Sequence, residues 1–273
     1  MTEVHFAIES AVAGLAASLA CGMGVIPVMF SQQALARRVG LGYAFAGGLM
    51  VAASFYNLLM PAFVLGGEQA TDLGPVIRTL SGFLAGCGVL SVVRQWINAP
   101  GERASGEPLQ RPSIQPLPIS ASAASSRSWL VFLAMTIHSF PEGVAVGVGY
   151  GAEGRIDEPG LGLRLAIAIA VHNIPEGMAV AIPMRLGGAS LQKCFWYAVA
   201  SSLPQPAAAV PAALAVWFFE PLMLPMLGFA AGAMIFLVVV ELLPDALEAQ
   251  SADACAWSFV LGFALMVLVQ VVV

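Results

Sequence analysis

The sequence predicts an all-α polytopic membrane protein with eight transmembrane helices, and three observations support this fold class. Of its 273 residues, 59% are hydrophobic and only 10% are charged, whereas about a quarter of the residues of a soluble domain carry charge. The apolar residues form runs that match the roughly 20 helical residues needed to cross a bilayer core. These runs also lack the alternation of an outer-membrane strand. The bilayer is therefore the solvent that suits this composition.

The predicted spans form one transmembrane domain over residues 1–273. The spans cover residues 8–30, 41–64, 74–97, 129–150, 161–184, 191–217, 222–244 and 255–273. Between the third and fourth spans lies 98–128, which is rich in Pro, Ser and Ala and has little apolar pattern. Such a composition cannot bury enough apolar surface to fold alone, so we expect a flexible cytoplasmic loop.

The distribution of Lys and Arg predicts the orientation in the cell's inner (plasma) membrane. Alternate connections, at 31–40, 98–128 and 185–193 with the adjoining Arg94, carry eight of the eleven basic residues. Basic residues concentrate in cytoplasmic loops, so both termini should lie outside the cytoplasm.

The first ten residues contain no Lys or Arg and do not resemble a signal peptide. The net charge of −5 indicates no nucleic-acid partner. The four cysteines are scattered and read as small packing residues.

Ionisable residues in the middle of apolar spans are the feature that points to function. His138 and Glu142 lie in the fourth span, and His172 and Glu176 lie in the fifth. A charge at the bilayer centre costs about 2.5 kcal/mol or more. Four such groups therefore predict a functional site near the membrane midplane.

These residues belong to a repeated motif, HSFPEG from His138 and HNIPEG from His172. Within each copy, His and Glu are four residues apart, so they share one helix face. Consecutive spans are antiparallel, so the two copies should meet at similar depth. Proline has no N–H and leaves the carbonyl four residues earlier without its helical partner. Such irregular backbone suits a cavity within the membrane.

Two imidazoles and two carboxylates form a donor set for a divalent transition metal. Zn²⁺, Fe²⁺, Mn²⁺ or Co²⁺ fits these donors, whereas Cu(I) prefers sulfur ligands. Burial and mutual repulsion favour protonated carboxylates when no metal is bound, so metal binding should release protons. We therefore expect transport that depends on pH.

Other interpretations of the motif pair stay open at this point. The four side chains could form a structural hydrogen-bonded cluster or a proton relay. An intramembrane metallohydrolase is a remote alternative, because no HExxH motif is present and each Glu has the spacing of a ligand. A proton-coupled carrier of an organic solute would need Arg or aromatic contacts, and the middles of the spans contain no Arg.

The sequence resembles the ZIP (Zrt/Irt-like protein) family of divalent metal transporters, and in particular its bacterial GufA-like branch. The segments that carry the resemblance are 138–151, 172–183, 201–206 and 230–245. The resemblance implies zinc uptake toward the cytoplasm through a site between helices 4 and 5. Its ligands would be His138, Glu142, His172 and Glu176. Iron, manganese or cadmium is the alternative main substrate, and the ion is a transported substrate rather than a cofactor.

Many family members hold a second, bridged ion, and the positions that would bind it differ here. The corresponding residues of this chain are Ser139, Asn173 and Gln205. A hydroxyl and two amides carry one negative charge fewer than the usual set. We therefore expect one tightly held ion, with Asn173 and Gln205 as weaker or indirect partners.

Further candidates lie on spans 2 and 7. Met50, Ser54 and Asn57 share one helix face, and the family places pathway residues on this helix, so Met50 and Asn57 are candidate ligands. Their face could equally be a polar packing seam. Glu241, near the predicted cytoplasmic end of span 7, is a candidate exit ligand. The resemblance also implies a homodimer, although the sequence shows no interface.

Overall fold

The computed structural model describes residues 5–30, 38–65, 73–98, 121–153 and 160–272. Its long elements are all helices. Within the described ranges, seven helices are long and apolar enough to cross a membrane. A further long helix carries the HSFPEG motif. The predicted fold class, an all-α polytopic membrane protein, is confirmed.

The long helices are labelled α1 to α8 in chain order, and several contain a break or a wider turn. The first half consists of α1 (His5–Gly22 and Val25–Phe30), α2 (Val39–Ala53, a π-helical turn Ser54–Leu59, and Met60–Leu65), α3 (Leu73–Asn98) and α4 (Ala121–Ala152). The second half consists of α5 (Leu161–Leu186), α6 (Leu191–Ser201 and Pro204–Phe218), α7 (a 3-10 turn Glu220–Leu222, then Met223–Leu237, a π-helical turn Val238–Leu242, and Leu243–Ala249) and α8 (Ala252–Val272).

Helix α4 begins at Ala121, inside the segment that the sequence predicts to be a flexible loop. That part of the prediction is wrong. The run from Ala121 to Ser128 contains three alanines, one arginine and no proline or glycine. Ala is the strongest helix former and Arg is also a good one, so the helix extends beyond the apolar span. The other residues of the predicted loop, 99–120, lie outside the described residues.

Prolines explain the irregular turns of α2 and α7. Each π-helical turn ends two residues before a proline, Pro61 in α2 and Pro244 in α7. A proline ring clashes with the carbonyl four residues earlier and cannot donate to it. A π-helical turn widens the helix at this point, and such turns are frequent at functional sites.

Helix α6 is broken rather than widened. Its two segments are separated by a turn at Ser202 and Leu203, and the second segment starts at Pro204. Proline is well tolerated at the first position of a helix, where its missing N–H has no acceptor. In contrast, Pro141 and Pro175 lie inside the continuous helices α4 and α5.

The helices pack as two groups. Helices α1, α4, α5 and α6 contact one another extensively, and α3 with α7 and α2 with α8 form the tight pairs of the second group. The groups meet where α4 packs against α7 and where α2 packs against α5. Both HxxPEG motifs, on α4 and α5, belong to the first group.

Glycines let the helices within each group approach closely. A Cβ atom built on Gly86 of α3 would overlap the Phe229 carbonyl oxygen of α7, and one on Gly232 of α7 would overlap the Phe83 carbonyl oxygen of α3. In the first group, a Cβ atom on Gly147 of α4 would overlap the Ala209 carbonyl oxygen of α6. Small residues at such crossings allow the main chains to touch.

Candidate metal site

Three buried side chains converge between α4 and α5. Glu142 extends from α4, and His172 and Glu176 extend from α5; all three are at most 1% exposed. One ligand atom of each residue lies within 4.8 Å of the others. The His172 Nε2 atom is 3.5 Å from Glu142 Oε1. A cluster of two carboxyl groups and an imidazole at these separations can hold one metal ion.

The local sequence explains this convergence. His172 and Glu176 are one helical turn apart on α5, so both face α4. The glycine after Glu142, Gly143, lies against the main chain of Gln205 in α6, where a Cβ atom would overlap the carbonyl oxygen. The close approach of α4 and α6 therefore brings the side chain of Gln205 to the Glu142 carboxyl group.

A chain of amide hydrogen bonds holds one side of the site. Asn173 Nδ2 donates to the Ala17 carbonyl oxygen at 2.9 Å and to Gln205 Oε1 at 3.1 Å. Gln205 Nε2 in turn donates to Glu142 Oε2. Gln205 thus uses both of its polar groups within the protein. It positions Glu142 and orients Asn173.

Several polar atoms of the site lack a hydrogen-bond partner in the described part of the chain. They are Glu142 Oε1, Glu176 Oε1, Asn173 Oδ1 and both ring nitrogens of His172. Buried polar atoms are nearly always paired, and leaving one unpaired costs about 1–3 kcal/mol. Oxygen and imidazole nitrogen atoms gathered in this way fit a divalent transition-metal ion.

Of the other two predicted residues of the HSFPEG motif, the structure describes the side chain of one. His138 lies in α4, but its side chain falls outside the described part of the structure. Ser139 is buried, and its hydroxyl donates to the Met135 carbonyl oxygen at 3.1 Å. The lone pairs of the Ser139 oxygen stay available to a ligand, while its proton is committed to the main chain.

The α2 candidates, Met50 and Asn57, are both buried. Ser54 donates its hydroxyl to the Met50 carbonyl oxygen at 2.8 Å. Asn57 lies in the π-helical turn, and its Nδ2 atom has no hydrogen-bond partner among the described residues. Because α2 packs against α5, this polar face lies on the helix that neighbours His172 and Glu176.

Glu241 lies apart from the buried cluster. It belongs to the π-helical turn of α7, and its Oε1 atom is 3.7 Å from Nε of Arg94 on α3. Both side chains are about a third exposed, at 29% and 32%. Glu241 therefore takes part in a peripheral ion pair and does not belong to the group of Glu142, His172 and Glu176.

The Ala17 carbonyl oxygen, which accepts from Asn173 and anchors it from α1, could not be predicted from the sequence. A main-chain acceptor has no side-chain signature. The small residues of α1 around it, such as Gly14 and Ala13, indicate close packing only.

Comparison with known proteins agrees with these features. The family model described as ZIP Zinc transporter matches residues 110–270. The zinc transporter ZIP11 of Xenopus tropicalis is 31% identical over 92% of this chain and 93% of its own length. The zinc transporter GufA of Myxococcus xanthus is 31% identical over 93% of this chain and 96% of its own length. The zinc transporter ZupT of Stenotrophomonas maltophilia is 32% identical over 91% and 89%, respectively.

The family match covers both HxxPEG motifs, and the similarity to relatives extends over nearly the whole chain. The predicted resemblance is thereby confirmed. The chain belongs to the ZIP family of zinc transporters, in the branch that includes GufA.

Proposed function

We propose that this protein carries divalent transition-metal ions, zinc foremost, across the inner membrane toward the cytoplasm. The observation that supports this proposal best is the buried group of Glu142, His172 and Glu176 within 4.8 Å of one another. It lies between two membrane helices and contains oxygen and nitrogen atoms without hydrogen-bond partners in the described structure. Relatives over nearly the full length are zinc transporters, and no enzymatic activity is proposed.

The donor set explains how a dication can enter a low-dielectric medium. The ion loses hydration water, and the imidazole of His172 and the two carboxylates replace it. Two carboxylates neutralise the charge of the ion, which lowers the large desolvation cost of burying it. We include His138 as a fourth ligand, because the repeat places it one turn from Glu142 on α4.

The amide network supports a single bound ion. A second, bridged ion would need another anionic ligand, and the chain has Gln205 at the position concerned. Gln205 donates to Glu142 Oε2 and accepts from Asn173. It occupies a carboxylate oxygen that a second ion would require. Asn173 Oδ1 has no hydrogen-bond partner in the described structure, so it is the amide oxygen of the network that is free to accept a further contact.

The direction of transport and the assembly are also part of the proposal. The Lys and Arg distribution supports a cytoplasmic location for the connections at 31–40 and 185–193. Both termini would then be outside. We also propose a homodimer, by analogy with the family.

A liposome assay tests the proposed transport. The purified protein is placed in metal-free liposomes that contain a zinc-sensitive dye, and Zn²⁺, Fe²⁺, Mn²⁺, Cd²⁺ and Mg²⁺ are added in turn. We expect the transition metals to enter and Mg²⁺ to stay outside. His172→Ala and Glu176→Ala should reduce uptake to the level of empty liposomes, because each removes a ligand from the buried cluster.

Matched controls come from α1, where His5 and Glu9 form a partly exposed pair. His5→Ala and Glu9→Ala remove the same residue types away from the site and should keep wild-type uptake. Thermal unfolding in detergent shows whether each variant is folded. A wild-type protein that moves no ion, or site variants that transport like the wild type, would overturn the proposal.

A further inference from the structure

A groove runs along the surface of the first helix group, between α1 and α5. It has a volume of about 400 Å³, and five of its twelve lining residues are alanines. Ala13 and Ala17 are buried and form part of its floor, whereas Ile8, Val12 and Leu163 are each more than half exposed and form its rims. Both helices are candidate membrane spans, so the groove opens to the hydrocarbon of the bilayer.

The register of the two helices places one end of the groove at the membrane surface. Asn173 of α5 donates to the Ala17 carbonyl oxygen of α1 at 2.9 Å, and a Cβ atom built on Gly177 would overlap the Cys21 carbonyl oxygen. Residues 156 apart therefore lie side by side along two parallel helices, which puts His5 level with the first residue of α5. The groove begins at the end that the Lys and Arg distribution assigns to the outside, and it ends beside the hydrogen bond between Ala17 and Asn173.

The dimensions of the groove fit one hydrocarbon chain. From His5 to Ala17 it follows twelve residues of α1, or about 18 Å at 1.5 Å per residue, and half of the hydrocarbon core of a bilayer is about 15 Å thick. The volume divided by this length gives a mean cross-section of about 22 Å². A helix with its side chains is about 10 Å across, so its cross-section is roughly 80 Å². The groove therefore excludes a helix of a second copy but accepts an acyl chain of the outer leaflet.

The polar residues of the groove lie at its outer end. The His5 Nε2 atom is 3.0 Å from Glu9 Oε1, and both side chains are more than a third exposed. The ring of Tyr150 packs against Gly162 near the start of α5, and Tyr is enriched at membrane surfaces. The described lining contains one carboxylate and no Lys or Arg. A carboxylate has about four acceptor positions, so Glu9 can accept from a second donor besides His5. The entrance thus complements an ammonium group and offers no permanent cation to an anionic head group.

We propose that the groove binds one phosphatidylethanolamine molecule of the outer leaflet, with an acyl chain between α1 and α5 and its ammonium group beside Glu9. The chain supplies the dispersion contacts that an unfilled groove lacks. Its end lies beside Ala17, whose carbonyl oxygen anchors Asn173, so the lipid holds α1 against α5. The inference goes beyond the proposed transport and does not rest on it, because lipid occupancy is measured without any ion.

Photolabelling of the full-length protein in vesicles tests this proposal. The vesicles consist of phosphatidylglycerol with a small fraction of phosphatidylethanolamine that carries a diazirine near the end of one acyl chain. Mass spectrometry of peptides then locates the label. We expect the label on 12–17 and 163–170, well above the labelling of the lipid-facing residues of α3.

Two variants with the same substitution test whether the groove itself holds the chain. Ala16→Phe places a ring in the groove from an exposed position. It should lower labelling of the groove roughly tenfold, since displacing about two methylene groups from an apolar site has an effect of this size. The control is Ala85→Phe, at an exposed position on α3, which should label like the wild type. Circular dichroism shows whether each variant is folded.

Glu9→Gln tests the head group and leaves the apolar lining intact. Labelling by the phosphatidylethanolamine probe, relative to a phosphatidylglycerol probe with the same photoactive chain, should fall roughly threefold, as expected for the loss of a partly exposed ion pair. Glu248→Gln, at an exposed position on α7, should leave this ratio unchanged.

Several results would overturn the inference. They are equal labelling of the groove and of α3, full labelling of the groove in Ala16→Phe, and equal labelling by the two head groups in the wild type. A groove labelled by neither probe would overturn it as well, and would show that another occupant, such as a second copy of the chain, covers this face. Zn²⁺ uptake by vesicles without probe decides separately on the proposed function.

Discussion

At the residue scale, Gln205 has the most informative side chain of the site. It is fully buried, and it connects Glu142 on α4 with Asn173 on α5. Its amide donates where a carboxylate at the same position would repel Glu142. The charge of this one side chain therefore controls how many cations the cluster can neutralise.

Replacing Gln205 by Glu tests this conclusion. The variant adds a negative charge beside Glu142 and replaces a donor by an acceptor. We expect the metal-free protein to become less stable and the number of tightly bound Zn²⁺ ions per chain to rise from about one to about two, since the second carboxylate can bridge another ion. Mass spectrometry of bound metal after dialysis gives the number of ions.

The matched control is Gln95→Glu on α3, where the exposed side chain donates to the Ser91 hydroxyl at 3.4 Å. It makes the same chemical change far from the cluster. The control should bind the same number of ions as the wild type. An unchanged metal content in Gln205→Glu would show that charge at this position does not limit occupancy.

The pairing of His and Glu could be predicted because the helical period alone places residues four apart on one face. The spacing within the two motifs predicted that Glu142, His172 and Glu176 lie close together, and their side chains do converge. The hydrogen bonds of Gln205 and the role of the Ala17 carbonyl could not be predicted. They depend on how closely α1 and α6 approach α5, which no local pattern specifies.

At the element scale, the crossing of α3 and α7 depends on direct main-chain contact. Gly86 faces the Phe229 carbonyl oxygen, whereas a Cβ atom built on Gly88 would meet no atom within 4 Å. Gly86→Ala should lower the stability in detergent by about 1–3 kcal/mol, because the added methyl group forces the helices apart. Thermal unfolding monitored by circular dichroism measures the change.

Gly88→Ala is the control on the same helix. The added methyl group enters open space, and alanine favours a helix over glycine by up to about 1 kcal/mol. The control should be as stable as the wild type or slightly more stable. Equal unfolding temperatures for the two variants would show that the α3–α7 contact is not close enough to exclude a methyl group.

Glu153 lies at the start of the connection between α4 and α5, and the titration of its carboxyl group should make the stability of the protein depend on pH. Burial raises the pKa of Glu153 above its usual value of 4.5, while a hydrogen bond from the Gly162 N–H and the charge of Arg164 act in the opposite sense. Since the folded protein holds this proton more tightly than the unfolded chain, the contribution of Glu153 is most favourable below its usual pKa. It is lost as the pH rises through the higher, folded value.

Glu153→Gln tests this dependence. The amide oxygen can still accept from Gly162, but the group no longer titrates. We expect unfolding temperatures of wild type and variant to converge at acidic pH, with the variant slightly more stable at pH 8. Glu248→Gln, at an exposed position near the end of α7, is the control. A difference that grows toward acidic pH would contradict the predicted sign.

Most elements could be predicted from hydropathy, because a membrane helix must be long and apolar. Their irregularities could be predicted less well. Pro61 and Pro244 lie just after the π-helical turns, but whether a proline kinks a helix or widens it into a π-helical turn depends on the neighbouring helices. The start of α4 at Ala121 was missed because helix propensity extends it beyond the apolar span.

At the scale of the whole molecule, the cluster lies entirely on one of the two helix groups. Glu142, His172, Glu176, Asn173 and Gln205 belong to α4, α5 and α6, and the Ala17 carbonyl that anchors them belongs to α1. The two carboxyl ligands and the imidazole ligand are each at most 1% exposed. An ion therefore reaches or leaves the cluster only when some part of the protein moves.

The contacts indicate where that movement costs least. Within each group, carbonyl oxygens lie against glycines, so sliding would drive main chains into each other. Between the groups, side chains meet instead; for example, a Cβ atom on Gly42 of α2 would lie 3.0 Å from Met178 Cε of α5. Flexible side chains adapt more easily than main chains. We therefore expect transport to require movement of one group relative to the other.

A covalent link between the groups tests this expectation. In a protein whose Cys87, Cys194 and Cys255 are replaced by Ala, Gly42→Cys with Met178→Cys links α2 to α5 through a short bifunctional thiol reagent cleavable by reductant. Phe6→Cys with Trp217→Cys links α1 to α6 within one group, where the two rings stack at 4.6 Å. Linking the groups should stop Zn²⁺ uptake, and reductant should restore it, whereas the link within one group should leave uptake largely intact. Undiminished uptake by the protein linked between its groups, with the link verified by mass spectrometry, would mean that ions pass without relative movement of the groups, as in a channel.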